Sequence, residues 1–173
     1  MVYKIASAAI AERMKPFLEK IKSQCGFLPG RSISDCTRLV YDLMFYTQKH
    51  NIPVLLMQID FEKAFDSVSW KFLCLILESF CFDNKFLKWI KLFNKDITAY
   101  IIQSGYLSDP IPVGRGCRQG DPIASYLFLL VAEVLNCLIE KSPSISGIAI
   151  GNIMLKITQF ADDTTLFLDG SAP

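Results

Sequence analysis

QFADDTTLFL, residues 159–168, sets two adjacent acids, Asp162 and Asp163, between β-prone residues on either side. The pattern predicts a strand, a tight acidic turn and a second strand, with carboxylates at the hairpin tip. Neighbouring carboxylates repel each other, so a site that gathers them calls for a cation. Upstream, VLLMQIDF, residues 54–61, runs apolar as far as Asp60, as a strand buried on both faces would. If these strands are neighbours, Asp60 and Asp162 meet at one rim of a sheet. Oxygen ligands with no His or Cys beside them favour Mg²⁺ or Mn²⁺ over zinc.

Composition sets the outer bounds. The 173 residues are 51% hydrophobic and 20% charged, which suits one compact domain and argues against disorder. The most apolar run, residues 126–139, is interrupted by Glu133 and Asn136. It is shorter than the ~20 apolar residues that span a bilayer, and no secretory signal is evident, so no membrane partner is expected. A net charge of +1 is low for a nucleic-acid binder, so any such contact requires a local basic path. Six scattered cysteines form no C-x-x-C pair, and His50 is the single histidine. That argues against a zinc site and reads as small buried residues in a reducing, intracellular compartment.

Working outward, residues 4–22 have helical spacing, with Ile5, Ala9, Met14, Leu18 and Ile21 near one face and Pro16 expected to kink or divide the helix. QCGFLPGRS, residues 24–32, is a Gly/Pro connector. It is one residue short of a P-loop and has Arg31 where Lys is required. Ser32 and Asp35 suggest a capping box for a helix over 33–49. Asp66 or Ser67 can cap a helix over 68–79. A helix over 84–95 carries Phe86, Trp89, Ile90 and Phe93 as a packing stripe. Residues 97–103 and 106–113 form a hairpin around Gly105, and strands follow at 147–150 and 153–157. In the loop VGRGCRQGDP, residues 113–122, the glycines allow close backbone approach, and Asp121 is the expected N-cap of a helix over 122–141. This order predicts an α+β fold, an antiparallel sheet with helices packed on one face.

FADD at 160–163, IDFEKAFD about a hundred residues before it, RQGDP between them and QCGFLPGRS upstream resemble, in order and spacing, the reverse transcriptase of non-LTR (LINE-type) retrotransposons. The resemblance covers nearly the whole chain. It implies a right-hand polymerase palm with partial fingers: one partial domain over 1–173, with fingers-side helices at 1–50 and the palm core at 51–173. It also implies that the chain starts after an Arg-Pro-containing fingers segment and stops before the primer grip and thumb, with no endonuclease domain. Ile123, Ala124 and Ser125 stand where many relatives have Ser-Pro.

The implied activity is RNA-directed DNA synthesis from an RNA template, a DNA primer and dNTPs. Two Mg²⁺ ions about 4 Å apart would stabilise the attacking and leaving oxygens of nucleotidyl transfer. Asp60 and Asp162 would bridge them, with the Phe61 carbonyl completing one shell and Asp163 supporting. Phe65 would stack under the incoming sugar and exclude a 2′-hydroxyl; the alternative is a core Phe on the first turn of the next helix. Arg118, Gln119 and Gly120 would contact the nucleotide and templating base. Arg115 or Arg118 would meet phosphate, and each of these arginines alone reads as a surface charge. Arg31 would meet template phosphate or else order its own loop. Three alternatives share these residues: a group II intron-like reverse transcriptase, a catalytically inactive RNA- or protein-binding remnant, and a metal-dependent phosphohydrolase using water.

Overall fold

The computed structural model describes residues 2–170. In chain order the elements are α1 (Val2–Leu18), α2 (Ile33–His50), β1 (Leu55–Ile59), α3 (Ala64–Ser67), α4 (Trp70–Ser79), α5 (Asn84–Phe93), β2 (Thr98–Ala99), β3 (Ile102–Gln103), β4 (Tyr106–Leu107), β5 (Ile111–Pro112), α6 (Ala124–Lys141), β6 (Ile148–Ile150), β7 (Ile153–Leu155), β8 (Ile157–Phe160) and β9 (Asp163–Leu168). The central sheet has the order β1-β9-β8, antiparallel throughout. β9 therefore lies between the strand that ends before Asp60 and the other arm of the acidic hairpin.

Alternation along these strands sends successive side chains to opposite faces. On one face Ile157 and Leu166 are buried against Ile139 of α6, with Leu135 and Ile59 packed beside them. On the other, Phe167 is fully buried with Leu43 of α2 and Ile148, and Leu56 packs against them. The layer expected on one face is α6; α2 adds cover on the other. β1 is not buried on both faces as its apolar run suggested. Leu55 is 51% and Met57 45% exposed. β1 is an edge strand, and Met57 lies outside Leu166 in the register, beyond the buried cluster under α6.

The larger core lies beside the sheet. Met14 and Leu18 of α1, Leu73 and Leu77 of α4, Ile90 of α5 and Leu129 of α6 meet there with almost no exposure. Truncating such a side chain loses its transfer energy and leaves a cavity. Leu77→Ala is expected to cost about 2–5 kcal/mol, measured as a drop in the denaturant midpoint with the slope unchanged.

Several local readings shift by a few residues, each for a visible reason. α1 runs through Pro16 and ends at Leu18. The missing Pro16 N–H costs one bond to the preceding turn, but the ladder resumes beyond it, with the Glu19 N–H donating to Lys15 O at 3.2 Å. The buried face of α1 passes through Ser7, Ala11, Met14 and Leu18, whereas Ile5 is 66% exposed. Asp66 and Ser67 lie inside the short helix α3, so Ser69 caps α4, accepting from the Phe72 N–H at 3.4 Å. Asp35 accepts from the Ser32 N–H at 2.7 Å at the start of α2, as the capping box requires. The hairpin around Gly105 forms two rungs, β3–β4 and β2–β5, with Ser104 and Gly105 both left-handed at the turn.

Candidate active site

The register of the central sheet places the acids. Ile59 pairs with Thr164, and Phe160 pairs with Asp163. Asp60, one residue beyond the end of β1, therefore emerges at the same rim as the hairpin turn. The turn is Ala161-Asp162, with Ala161 at φ 55°, the left-handed conformation that suits a two-residue hairpin loop.

The two neighbouring acids separate at this rim. Asp163 lines a cavity of about 650 Å³ together with Asp60, Gln58 and Thr165, under α2. Asp162 lines a second cavity of about 400 Å³ with Phe61, Phe128 and Gln159, on the α6 side. Asp60 thus shares a cavity with Asp163, not with Asp162. Among the described residues no side chain donates a hydrogen bond or ion pair to any of these three carboxylates. Their oxygens and the Phe61 carbonyl are of the donor type that hard divalent cations such as Mg²⁺ or Mn²⁺ take. Among the described residues no three His, Cys, Asp or Glu side chains are gathered into a ready metal cage.

The loop 113–121 is stitched to the segment that follows Asp60. The Gly116 N–H donates to Val68 O and the Cys117 N–H to Phe65 O, both at 2.8 Å. Trp70 Nε1 donates to Gly116 O, also at 2.8 Å. Gly116 has φ 100°, and a Cβ there would sit 3.1 Å from Asp66 O. Glycine is required on both counts. Burial pushes the Cys117 thiol up to about 12, helped by Asp121 and Asp66, so it is no nucleophile at neutral pH.

Within this loop Gln119 and Gly120 are exposed, as is Arg115. Arg118 sits differently from a nucleotide-facing residue. Its Nη2 donates to Phe93 O at the end of α5 at 2.7 Å, and its guanidinium lies 4.7 Å from the centre of the Tyr3 ring. Phe65 is half-buried, stacked on Phe128 at 4.3 Å and edge-on to Phe27 at 6.1 Å. Arg31 orders its own loop, through carbonyls in place of an ion pair: Nη1 donates to Gln24 O at 2.5 Å and Lys22 O at 3.2 Å.

Asp121 does not cap α6. Its carboxylate accepts from the Tyr3 and Ser7 hydroxyls of α1, and the helix starts at Ala124. Ser7 Oγ in turn accepts from the Ile123 N–H at 3.3 Å. Burial, reinforced by Asp121, raises the Tyr3 phenol above its ordinary range. Sequence reading missed Tyr3, Ser7 and Gln24. The first two carried a signal, since spacing of four places them on the face continued by Ala11, Met14 and Leu18.

A model of the family described as "Reverse transcriptase (RNA-dependent DNA polymerase)" matches residues 1–172. The chain is 29% identical over 168 residues to the Transposon TX1 uncharacterized 149 kDa protein of Xenopus laevis. It is 28% identical over 163 residues to the Pol polyprotein of the type-2 retrotransposable element R2DM of Drosophila melanogaster. It is 33% identical over 163 residues to the Pol polyprotein of the type-1 element R2 of Popillia japonica. The alignments take in 92–95% of this chain but 13–22% of those proteins. Among solved structures, apo telomerase from Candida tropicalis superposes with a TM-score of 0.54 at 12% identity, covering 96% of this chain and 34% of that one. Telomerase from Candida albicans, in complex with an RNA fragment, gives 0.51 at 13%, covering 94% and 30%. At such identity the likeness is one of fold.

Proposed function

Because the chain belongs to the reverse transcriptase (RNA-dependent DNA polymerase) family, we propose that it forms the catalytic palm, with part of the fingers, of an RNA-directed DNA polymerase of a non-LTR retrotransposon. The observation that carries the reading is the Ile59–Thr164 register, which brings Asp60 and the 162–163 tip to one rim, where no described side chain donates to their carboxylates. Asp60 and Asp162, with the Phe61 carbonyl and Asp163 in support, would hold two Mg²⁺ ions. When bound, such ions stabilise charge on the attacking and leaving oxygens.

The chain's own residues position everything else. Rigid strands fix the carboxylates, which matters because misplacing reacting groups by an ångström is costly. Gln119 offers both donor and acceptor to a nucleotide or templating base, and the exposed backbone at Gly120 lets one approach. Arg115 is exposed beside that loop and can meet phosphate. Phe65 presents a half-buried ring held by Phe27 and Phe128, a stiff wall beneath a bound sugar that selects dNTPs. The RNA template, DNA primer and dNTPs are the substrates this reading requires, in an intracellular setting.

The test is templated primer extension by the intact protein, with Mg²⁺ and after its removal by chelation. Incorporation of dNTPs that stops on chelation and returns with Mg²⁺ is expected; phosphate release without extension would reject the polymerase reading in favour of hydrolysis. Gln119→Ala is expected to raise the dNTP KM about tenfold, the order of one lost hydrogen bond in a bound state. An unchanged KM and kcat would remove Gln119 from the site.

A further inference from the structure

The hairpin that carries Asp162 does not hold its own tip. Ala161, the residue before it, is left-handed at φ 55°, a conformation disfavoured for any residue with a β-carbon. Its peptide groups are also buried, and buried backbone groups need partners. The partner comes from 137 residues away. Gln24 is 1% exposed. Its Oε1 accepts from the Ala161 N–H at 2.7 Å, and its Nε2 donates to Ala161 O at 3.1 Å. One side-chain amide therefore satisfies both polar groups of the residue that precedes the candidate catalytic acid.

Gln24 is itself held. Its Oε1 also accepts from the Gly26 N–H at 2.8 Å. The Cys25 N–H donates to Gln159 O and the Gln159 N–H to Ser23 O, each at 2.8 Å, so the segment lies as a short parallel rung along β8. Arg31 braces it from outside through Gln24 O. Gly26 completes the fit, since a Cβ there would lie 2.5 Å from the Ala161 nitrogen.

We propose that Gln24 is a positioning residue for the candidate active site, clamping the Ala161 peptide and thereby setting the direction of the Asp162 carboxylate. The clamp stands on geometry alone; its catalytic consequence rests on the polymerase reading above. It also gives the QCGF segment a role that needs no contact with nucleic acid.

The experiment compares Gln24→Ala, Gln24→Glu and Leu77→Ala with the parent in the intact protein. Gln24→Glu keeps the acceptor and loses the donor. Leu77→Ala weakens the core elsewhere. Hydrogen exchange of the peptide covering 157–168 is read first. Gln24→Ala is expected to speed it about tenfold or more, because the tip opens locally, with Gln24→Glu between and Leu77→Ala leaving no selective effect there. In primer extension, Gln24→Ala is expected to lower kcat about 10- to 100-fold, the order expected for a misplaced catalytic group. The Mg²⁺ concentration for half-maximal rate should rise, and the dNTP KM should stay within about twofold. Unchanged exchange in the hairpin, or a Leu77→Ala protein that reproduces the whole pattern, would overturn the proposal. A parent protein that fails to extend primers would reject the polymerase reading, and the exchange comparison would still decide the clamp.

Discussion

Asp162→Ala in the intact protein is expected to lower the primer-extension rate by about 10³-fold or more, the scale seen when one member of a charge-stabilising set is removed. Asp60→Ala should match it, and Asp163→Ala should cost less. Two features of the structure bear on that ranking. Asp162 lies in the turn, released from the strict alternation of a strand, and its direction is set by the left-handed residue before it. Asp163 is the first residue of β9, paired with Phe160, so its side chain is committed to the α2 side. Asp60 shares that side in the structure, which sets up a direct contest between the 60–162 and 60–163 pairings. Steady-state kinetics on the three variants, with folding checked by thermal melting, decide it. Full activity in Asp162→Ala would reject the assignment, and a greater loss in Asp163→Ala than in Asp162→Ala would transfer the main role to Asp163.

What the sequence disclosed was mostly local. The acidic hairpin could be read because its turn and its flanking strands lie within twelve residues, and the Ser32–Asp35 box because it closes over three. The family resemblance supplied the pairing of two strands a hundred residues apart, which periodicity alone could not. Partners set by tertiary packing stayed hidden. Gln24 reads as an ordinary loop residue until Ala161 is placed against it, and Arg118 as an exposed charge until Phe93 O and Tyr3 surround it. The β1 run looked buried on both faces because hydrophobicity reports what a residue tolerates. Exposure depends on which strand lies beside it, and β1 has a neighbour on one side only.

Asp121 shows the same override of local preference, and it carries a large expected effect on stability. An Asp before Pro and an apolar run is a good N-cap on local grounds. Here the residue is buried, 9% exposed, and its carboxylate turns to α1, where Tyr3 and Ser7 donate to it. Tyr3 also packs edge-on to Phe93 at 5.0 Å and under the Arg118 guanidinium. One carboxylate thus ties α1, the end of α5 and the start of α6 into a single corner, directly behind the loop that presents Gln119. A hydrogen bond to a charged group contributes roughly 1.5–3 kcal/mol, and a buried donor left without its acceptor adds a penalty. Part of this is discounted because Tyr3 is only half-buried. Asp121→Ala is expected to destabilise by about 3 kcal/mol, and Asp121→Asn by less, since the amide oxygen can still accept. A double-mutant cycle with Tyr3→Phe should return a coupling of about 1 kcal/mol for the pair. If Asp121 were instead a nucleotide-contacting residue, Asp121→Asn would change the dNTP KM and leave the denaturant midpoint in place. That outcome would place the RQGDP acid on the substrate side of the loop.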